Sequence, residues 1–478
     1  MLFNSFDFAI FLPIIFILYW FVFNKNLKLQ NFLIVIASYV FYGWWDWRFL
    51  SLILFSTLVD YSIGIGLSKE NNSKKRKLLL WISIMVNLGF LGVFKYYNFF
   101  LDNFVEVFSF FGHPINSQGL NVILPVGISF YTFQTLSYSI DVYKRKLEPT
   151  KDFIAFMAFV SFFPQLVAGP IERATNLLPQ FYKPRTFDYS RAVDGLRQIL
   201  WGLFKKIVIA DRSAEYVNQI FNNYTEHTGS TLLLGALFFA FQIYGDFSGY
   251  SDIAIGTARL FGFNLMQNFA FPYFSRDIAE FWRKWHISLS TWFRDYVYIP
   301  LGGSRGNIRF KIRNVFIIFI VSGFWHGANW TFIIWGALNA IYFLPLMLLN
   351  KNRTNTGVIA EGRVLPSIKE FLAMTVTFLL TVFAWVFFRA ENVPHAIDYL
   401  RSMFSLSLFT KPDIFPIYTL MLIVIFLAVE WSGREHQYAL EKLGLRWKVP
   451  FRYAMYYLII FAIFLFMREQ QNFIYFQF

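Results

Sequence analysis

Apolar stretches of the length needed to cross a lipid bilayer recur along this chain from one end to the other. They occupy residues 8–23, 32–41, 49–67, 78–94, 122–140, 153–168, 196–209, 232–244, 315–324, 331–349, 371–388, 417–429 and 453–466. A spanning helix needs about 20 such residues, and lipid offers the backbone no hydrogen-bond partners outside helices or closed barrels. Since the strict alternation of barrel strands is not seen, we expect an all-α, polytopic membrane bundle. It should have about eleven spans, with shorter re-entrant and interfacial helices.

The composition agrees with a membrane protein. Of all residues, 56% are hydrophobic and 15% are charged, against about 25% charged in soluble domains. The net charge of +14 would also suit a nucleic-acid-binding protein, but Lys and Arg cluster in short loops between apolar stretches. That is the positive-inside arrangement, so we expect surrounding lipids and no nucleic-acid partner. Because cysteine is absent, disulfides, thiolate metal sites and a cysteine nucleophile are excluded, and we expect no metal site.

Basic residues occur at every second connection, which orients the chain. These connections are 25–28, 69–77, 144–151, 305–313, 351–369 and 434–452. We expect them in the cytoplasm and the N-terminus outside, with the first apolar stretch retained as a helix because no leader pattern accompanies it. No linker or internal repeat divides the sequence. We therefore expect one membrane domain, with N-terminal helices in 1–120, a core in 121–349 and C-terminal helices in 350–478.

His326 lies within the apolar segment SGFWHGANW, residues 322–330. Thirteen helical residues separate it from Arg313 at the basic boundary, or about 20 Å, which places it within the membrane and past its middle. The next apolar run returns to the basic side, so a helical hairpin with His326 near its turn is expected. An ionisable group at this depth is a functional candidate. The alternative, a neutral imidazole that bonds a backbone carbonyl and locks helices together, is equally open.

The longest polar interruption, residues 274–306, has the pattern of an amphipathic helix. Two faces follow from the helical spacing: Trp285, Leu289, Trp292 and Tyr296 on one, and Arg283, Ile287, Ser290 and Arg294 on the other. The arginines either grip the phosphates of a coenzyme or meet lipid headgroups at the membrane surface. His286 adds a second titratable group.

Two further segments break the apolar pattern. Residues 242–256 carry Asp246, Tyr250 and Asp252 beside several glycines; the carboxylates need internal partners, and tight helix packing is the favoured role. Residues 162–173 contain two prolines and predict a buried, non-helical stretch. Further expectations are a solvated Glu172–Arg173 pair and surface positions for His113, His227, His395 and His436.

Together these motifs carry a resemblance. The segments FWRKWHISLSTWFRDYVYIPLGG and GFWHGANWTFIIWG, whose histidines are forty residues apart, are similar to the two histidine motifs of the membrane-bound O-acyltransferase family. SYVFYGWW, LPVGISFYTFQTLSYSIDVY, LVAGPIER, DFSGYSDIAIG and WVFFRAEN resemble its alginate O-acetylation branch. The resemblance covers nearly the whole chain. Proteins that D-alanylate teichoic acid share the two histidine motifs.

The resemblance implies acyl transfer inside the membrane, in a fold built around a central tunnel. It implies His326 as the essential histidine, a general base, and His286 as the second motif position. Further candidates for the substrate site or tunnel are Trp285, Trp325, Asn329, Arg283, Ser290, Arg294, Asp295, Asp246 and Tyr250. The implied donor is acyl-CoA, acetyl-CoA foremost, or a thioester on an acyl carrier protein, with no permanently bound cofactor.

The implied acceptor is an extracytoplasmic polysaccharide, reached from the bacterial inner membrane through an extracytoplasmic acetyltransferase of the SGNH-hydrolase type. Three alternatives stay open: D-alanyl or other acyl transfer to a wall polymer, a proton-coupled transporter that uses His326 and Asp246 as a relay, and a non-catalytic export scaffold. The transporter predicts repeat symmetry between halves, which the sequence does not show.

Overall fold

The computed structural model describes residues 1–112, 115, 119–120, 123–467, 471 and 473–474. Throughout these residues the regular structure is helical, as expected. The helices are α1 Phe6–Ile17, α2 Leu27–Asp46, α3 Leu50–Lys69, α4 Ser73–Leu91, α5 Tyr97–Phe110, α6 Ile128–Tyr143, α7 Phe153–Ser161, α8 Ala174–Leu177, α9 Tyr189–Phe204, α10 Asp211–Asn222, α11 Gly229–Leu260, α12 Ile278–Lys284, α13 Ile287–Phe293, α14 Ile308–His326, α15 Trp330–Leu348, α16 Ile368–Arg389, α17 Val393–Met403, α18 Ile417–Ser432 and α19 Val449–Phe466.

Six helical segments of the described chain are long and apolar enough to cross a membrane. They are Leu27–Lys69, Ser73–Phe110, Gly229–Leu260, Trp330–Leu348, Ile368–Arg389 and Val449–Phe466, with shorter apolar helices at Phe6–Val22 and Ile417–Ser432. The expected count of about eleven spans is not confirmed. One reason is that some apolar runs form short buried helices: the run at 153–168 is helical only to Ser161.

The described chain forms two compact units, Met1–Ala192 with Thr257–Met266, and Val193–Gly256 with Gln267–Phe478. The predicted divisions near residues 120 and 349 stay predictions. In the first unit, the segment after α7 is buried and non-helical, as its prolines predict. The solvated Glu172–Arg173 pair is wrong: Glu172 is 1% exposed and accepts hydrogen bonds from Asn176 Nδ2 at 2.6 Å and from the Met266 amide. This burial raises the pKa of Glu172 to about 7.

In the second unit, α14 and α15 form the predicted hairpin, with His326 as the last residue of α14. Glycines bring the two helices together. A methyl group on Gly323 would collide with the carbonyl oxygen of Phe332, and one on Gly336 with that of Phe319. Small residues at such crossings permit backbone contact. The close approach fixes the position of His326 against α15.

The continuous amphipathic helix expected across residues 283–296 is wrong. The chain forms two short helices instead, α12 and α13, because His286 between them has the left-handed backbone angles φ 44° and ψ 55°. A further turn of π-helix, Arg294–Tyr298, follows α13. One left-handed residue rotates all side chains beyond it, so the helical spacing does not carry through the break.

The acidic residues of α11 have internal partners, as predicted, and these partners are lysines. Lys205 Nζ lies 2.5 Å from Asp252 Oδ2, and Lys206 Nζ lies 2.8 Å from both Asp246 Oδ1 and Asp211 Oδ1. The expectation that basic residues keep to loops is therefore wrong for these two lysines, which are buried. Pairing neutralises charges that would be costly inside a membrane protein.

The surface assignment of the remaining histidines is wrong for His395. This residue is 9% exposed and stacks on the ring of Tyr224, with centroids 4.6 Å apart. His227 and His436 are partly exposed, and His113 lies outside the described residues.

Candidate active site

His326 is enclosed by aromatic rings. Its imidazole is 3% exposed, and its ring centroid lies 4.9 Å from that of Trp325, 5.2 Å from that of Trp335 and 5.3 Å from that of Phe388. The contacts with Trp335 and Phe388 are edge-on. We call the space bounded by these rings and the ring of His286 the aromatic chamber.

His286 borders the same chamber and, like His326, lies close to Trp325. Its ring centroid lies 6.2 Å from that of Trp325 and 4.5 Å from that of Phe247. The side chain is 1% exposed, and this burial lowers the pKa of the imidazole well below its usual value. The ring is therefore neutral at physiological pH. The backbone of His286 is left-handed, a strained conformation that is found more often at functional sites than elsewhere.

Hydrogen bonds hold His286 in place through Asn268. Nδ1 of His286 lies 3.1 Å from Asn268 Oδ1, and the amide of Ile287 donates to the Asn268 carbonyl oxygen at 2.9 Å. The Asn268 side chain also bonds to Ser251 and Ser288. Sequence reasoning missed Asn268, because it stands 18 residues before the histidine in a segment without periodicity.

A large cavity lies beside the chamber. It has a volume of about 860 Å³. Four cationic side chains line it, Arg283, Arg294, Lys311 and Arg353, together with apolar residues that include Trp282, Phe319 and Phe343. We call it the basic cavity. Lys311 and Arg353 come from the open end of the α14–α15 hairpin, opposite the turn next to His326. Arg283 belongs to α12, and Arg294 begins the π-helical turn after α13.

The basic cavity approaches His326 along α14. Ser322, one helical turn before His326, belongs to its lining, and four residues of helix correspond to about 6 Å. The ring of Trp282, also in the lining, lies 5.6 Å from that of Trp335, which in turn contacts His326. Two tryptophan side chains thus stand between the cavity and the imidazole. His326 itself is not part of the cavity wall.

The predicted candidates from residues 283–295 divide into three groups. Arg283, Ser290 and Arg294 all line the basic cavity, although they do not share one helix. Arg283 is held by the carbonyl oxygens of Asn352 and Asn355, at 2.8 and 2.6 Å, and Asp295 pairs with Arg294 at 2.7 Å. Trp285 is buried behind the chamber, where its ring lies 5.1 Å from that of Trp385.

The other candidates lie at the edges of the site. Asn329 caps α15 and donates to the carbonyl oxygen of Glu391 at 2.8 Å. Asp246 is paired with Lys206, and Tyr250 is buried with its ring 5.2 Å from that of Phe473. Among the described residues, no group of three or more acidic or histidine side chains is placed to hold a metal ion.

Sequence reasoning also missed Lys311, Arg353, Trp282 and Trp335. The basic runs that contain Lys311 and Arg353 indicate only the orientation of the chain, and tryptophan is common throughout this sequence. The sequence signal for these two cations is their position: Lys311 stands just before, and Arg353 just after, the two apolar runs of the hairpin that carries His326.

Comparison with known proteins identifies the family. The model of the membrane-bound O-acyltransferase family matches residues 147–375. A probable alginate O-acetylase AlgI of Pseudomonas aeruginosa is 42% identical over 398 residues, which are 83% of this chain and 73% of that protein. A peptidoglycan O-acetyltransferase of Helicobacter pylori is 35% identical, over 85% of this chain and 80% of the relative.

This chain belongs to the membrane-bound O-acyltransferase family. A more distant relative, a teichoic acid D-alanyltransferase of Bacillus subtilis, is 26% identical over 61% of this chain and 75% of its own length. As a member of the membrane-bound O-acyltransferase family, the protein is a multi-pass membrane acyltransferase that acts on an acyl donor. The resemblance of the two histidine motifs to this family is thereby confirmed.

Proposed function

We propose that this protein takes an acyl group, acetyl foremost, from a cytoplasmic thioester and passes it across the bacterial inner membrane for the O-acetylation of an extracytoplasmic polysaccharide. The donor is acetyl-CoA or an acylated carrier protein. His326 is the general base, and His286 supports it. The relatives support this assignment, because alginate O-acetylases and a peptidoglycan O-acetyltransferase are named for polymers that lie outside the cytoplasm.

The observation that carries the proposal is the basic cavity beside the chamber with two histidines. Its volume lies within the range of small-molecule sites, about 300 to 1,000 Å³. The four cations that line it suit the phosphates of a coenzyme or of a phosphopantetheine arm, and guanidinium groups bind phosphate in bidentate fashion. Its apolar wall at Trp282 and Phe319 suits the pantetheine chain. A donor with its phosphates at the cations points its thioester towards Ser322 and the chamber.

The transfer is then a direct acyl exchange. His326 takes the proton of the acceptor hydroxyl as that oxygen attacks the thioester carbonyl. A carbon–oxygen bond forms, the carbon–sulfur bond breaks, and the departing thiolate recovers the proton from the imidazolium. The chain has no cysteine, and this route requires no covalent intermediate on the protein.

The rings around His326 exclude water. Water in the chamber would hydrolyse the thioester, and its exclusion strengthens every charge interaction in the transition state. Because Trp282 and Trp335 stand between the cavity and the imidazole, donor binding must turn at least one of these side chains aside.

The acceptor hydroxyl of this exchange belongs to an extracytoplasmic acetyltransferase of the SGNH-hydrolase type, which receives the acyl group as an ester and completes the modification. D-alanyl transfer from a carrier protein to a wall polymer is the second candidate, supported by the D-alanyltransferase relative.

Mass spectrometry of cell-surface glycans tests the proposal. The strains compared lack the protein or carry the wild type, His326→Ala or the control His395→Ala, another buried histidine of the same unit. We expect O-acetyl esters with the wild type and the control, and their loss in the other two strains. D-alanyl esters with the same dependence would establish the second candidate. Surface esters that are identical in all four strains would contradict both.

A further inference from the structure

The side chain of Asn268 is oriented without ambiguity by its neighbours. Its Oδ1 atom faces three groups: His286 Nδ1 at 3.1 Å, Ser288 Oγ at 2.8 Å and the backbone nitrogen of Ser288 at 3.3 Å. A backbone N–H can only donate a hydrogen bond. The atom opposite it must therefore be the carbonyl oxygen of the amide, since an NH₂ group there would set donor against donor.

The opposite edge of the same amide is held as well. Asn268 Nδ2 donates to Ser251 Oγ on α11 at 3.0 Å. The three partners Asn268, Ser251 and Ser288 are each at most 2% exposed, so water does not compete for these bonds. Two backbone hydrogen bonds also join the segment of Asn268 to that of His286. Ile287 N donates to Asn268 O, and Ala270 N donates to Lys284 O. The amide thus has one orientation, and its oxygen points at His286.

This orientation decides which nitrogen of His286 carries the proton. The carbonyl oxygen of an amide accepts and cannot donate, so Nδ1 must be the donor in their contact. Ser288 Oγ also lies 3.4 Å from Nδ1, but its proton is donated to Asn268 Oδ1 at 2.8 Å. A neutral imidazole has a single ring proton, and Nε2 is therefore the nitrogen with the lone pair. The partner of one ring nitrogen sets the chemistry of the other, as in histidines oriented by a carboxylate.

We propose that Asn268 is a positioning residue that selects the Nδ1-protonated tautomer of His286 and so leaves Nε2 as the proton-accepting nitrogen of that ring. Ser251 keeps the amide in the required orientation, and Ser288 adds a second donor to the same oxygen. The catalytic consequence rests on the proposed function, whereas the tautomer itself does not.

The tautomer is measured directly by solid-state NMR of the full-length protein, labelled with ¹⁵N-histidine and reconstituted in lipid bilayers. The His286 signals are assigned by their absence in His286→Gln. We expect a protonated Nδ1 and an unprotonated Nε2 in the wild type. Asn268→Asp retains an acceptor at this position and should keep that tautomer, while Asn268→Leu should shift His286 towards the Nε2-protonated form. A wild-type spectrum with the proton on Nε2, or an unchanged tautomer in Asn268→Leu, would overturn the inference.

Kinetics in proteoliposomes supply the second readout. We expect Asn268→Leu to lower kcat for acyl transfer by about 100-fold, the scale of a misplaced acid–base group, with KM changed less than twofold and with substantial rescue in Asn268→Asp. The control is Asn314→Leu, which removes another fully buried asparagine, one bonded to the carbonyl oxygens of Leu301 and Gly303. It should lower thermal stability and leave the His286 tautomer unchanged.

Failure of this inference is distinguishable from failure of the proposed function. A wild type that transfers no acyl group contradicts the proposed function, while its NMR spectrum still decides the tautomer. A wild type that transfers acyl groups at a rate that Asn268→Leu does not change contradicts the role of Asn268 alone. A shift of the His286 tautomer in Asn314→Leu would also count against a specific role of Asn268.

Discussion

The basic cavity and the aromatic chamber lie side by side in the same unit, and they are built on opposite principles. The cavity presents cations on long side chains, and the side chain of Arg294 is 58% exposed. The chamber encloses two imidazoles that are 1% and 3% exposed. In the cavity, solvent and salt reach the charges and weaken each interaction. In the chamber, neither reaches the titratable groups.

This contrast separates two tasks. Cations in solvent attract a charged donor at little cost, because they stay hydrated until it arrives. Proton transfer requires a histidine in one protonation state and one orientation, which rings and buried hydrogen bonds provide. Changes in the chamber should therefore act on kcat, and changes in the cavity on KM.

The largest effect is expected for His326→Ala. Removal of the general base should lower kcat by about 1,000-fold, within the usual contribution of acid–base catalysis, with little change in KM. Acyl transfer from a radiolabelled thioester in proteoliposomes measures both constants. The control His395→Ala should stay within twofold of wild type. A variant at His326 that keeps a tenth of the activity would contradict the role of the chamber.

The next largest effect is expected for His286→Gln, which we predict to lower kcat by about 100-fold. Glutamine approximates the size of the ring and can still bond Asn268, so the chamber keeps most of its packing. The same assay is used, normalised to folded protein by size-exclusion chromatography. Full activity per folded molecule would show that His286 has only a packing role. His326 would then be the only histidine of the chamber that takes part in catalysis.

A smaller effect is expected in the cavity. Lys311→Ala and Arg353→Ala should each raise KM for the donor by about tenfold, because a hydrogen bond to a charged group contributes roughly 1.5 kcal/mol, and leave kcat unchanged. The wild-type KM should rise with salt, and rise less steeply in the variants. Arg401→Ala removes an exposed charge on α17 that pairs with Asp398 and serves as the control. A fall in kcat without a change in KM would break the proposed division of tasks.

The smallest effect concerns the stability of the chamber at acid pH. Burial lowers the pKa of His286, so the folded ring stays neutral at pH 5.5, whereas the unfolded ring, with the ordinary value near 6.5, takes up a proton. The unfolded state then binds more protons, and stability falls as the pH decreases below about 6.5.

His286→Gln lacks this contribution. Between pH 7.5 and 5.5, the Tm of the wild type should fall relative to that of the variant, as measured by thermal unfolding in detergent. A difference in Tm that is independent of pH would indicate that the ring is accessible to protons in the folded state.

The hairpin of His326 shows what apolar patterning can predict. Two consecutive apolar runs with basic residues at their outer ends predict an antiparallel helix pair, and Gly323 indicates the close contact. The family could also be predicted, because several of its motifs occur in the same order along this sequence. The burial of Glu172 and His395 could not be predicted, because it depends on distant segments such as Met266 and Tyr224 that complete their surroundings.

The segment around His286 shows where prediction from helical spacing fails. Its spacing predicts one amphipathic helix, yet His286 is left-handed and the amide of the next residue donates to the carbonyl oxygen of Asn268. Arg283, Ser290 and Arg294 still meet in the basic cavity, but through the fold of two short helices against the hairpin rather than through a shared helical face.

The sequence by itself determined that this protein lies in a membrane, that it is helical, which family it belongs to and which two histidines belong to the family's motifs. These properties depend on composition and on the order of residues along the chain. Only the tertiary structure decided which groups surround each histidine, which lysines neutralise the acids of α11 and which nitrogen of His286 carries the proton. Those properties arise from contacts between segments far apart in sequence, where burial removes water and leaves each polar atom only the partners that the fold supplies.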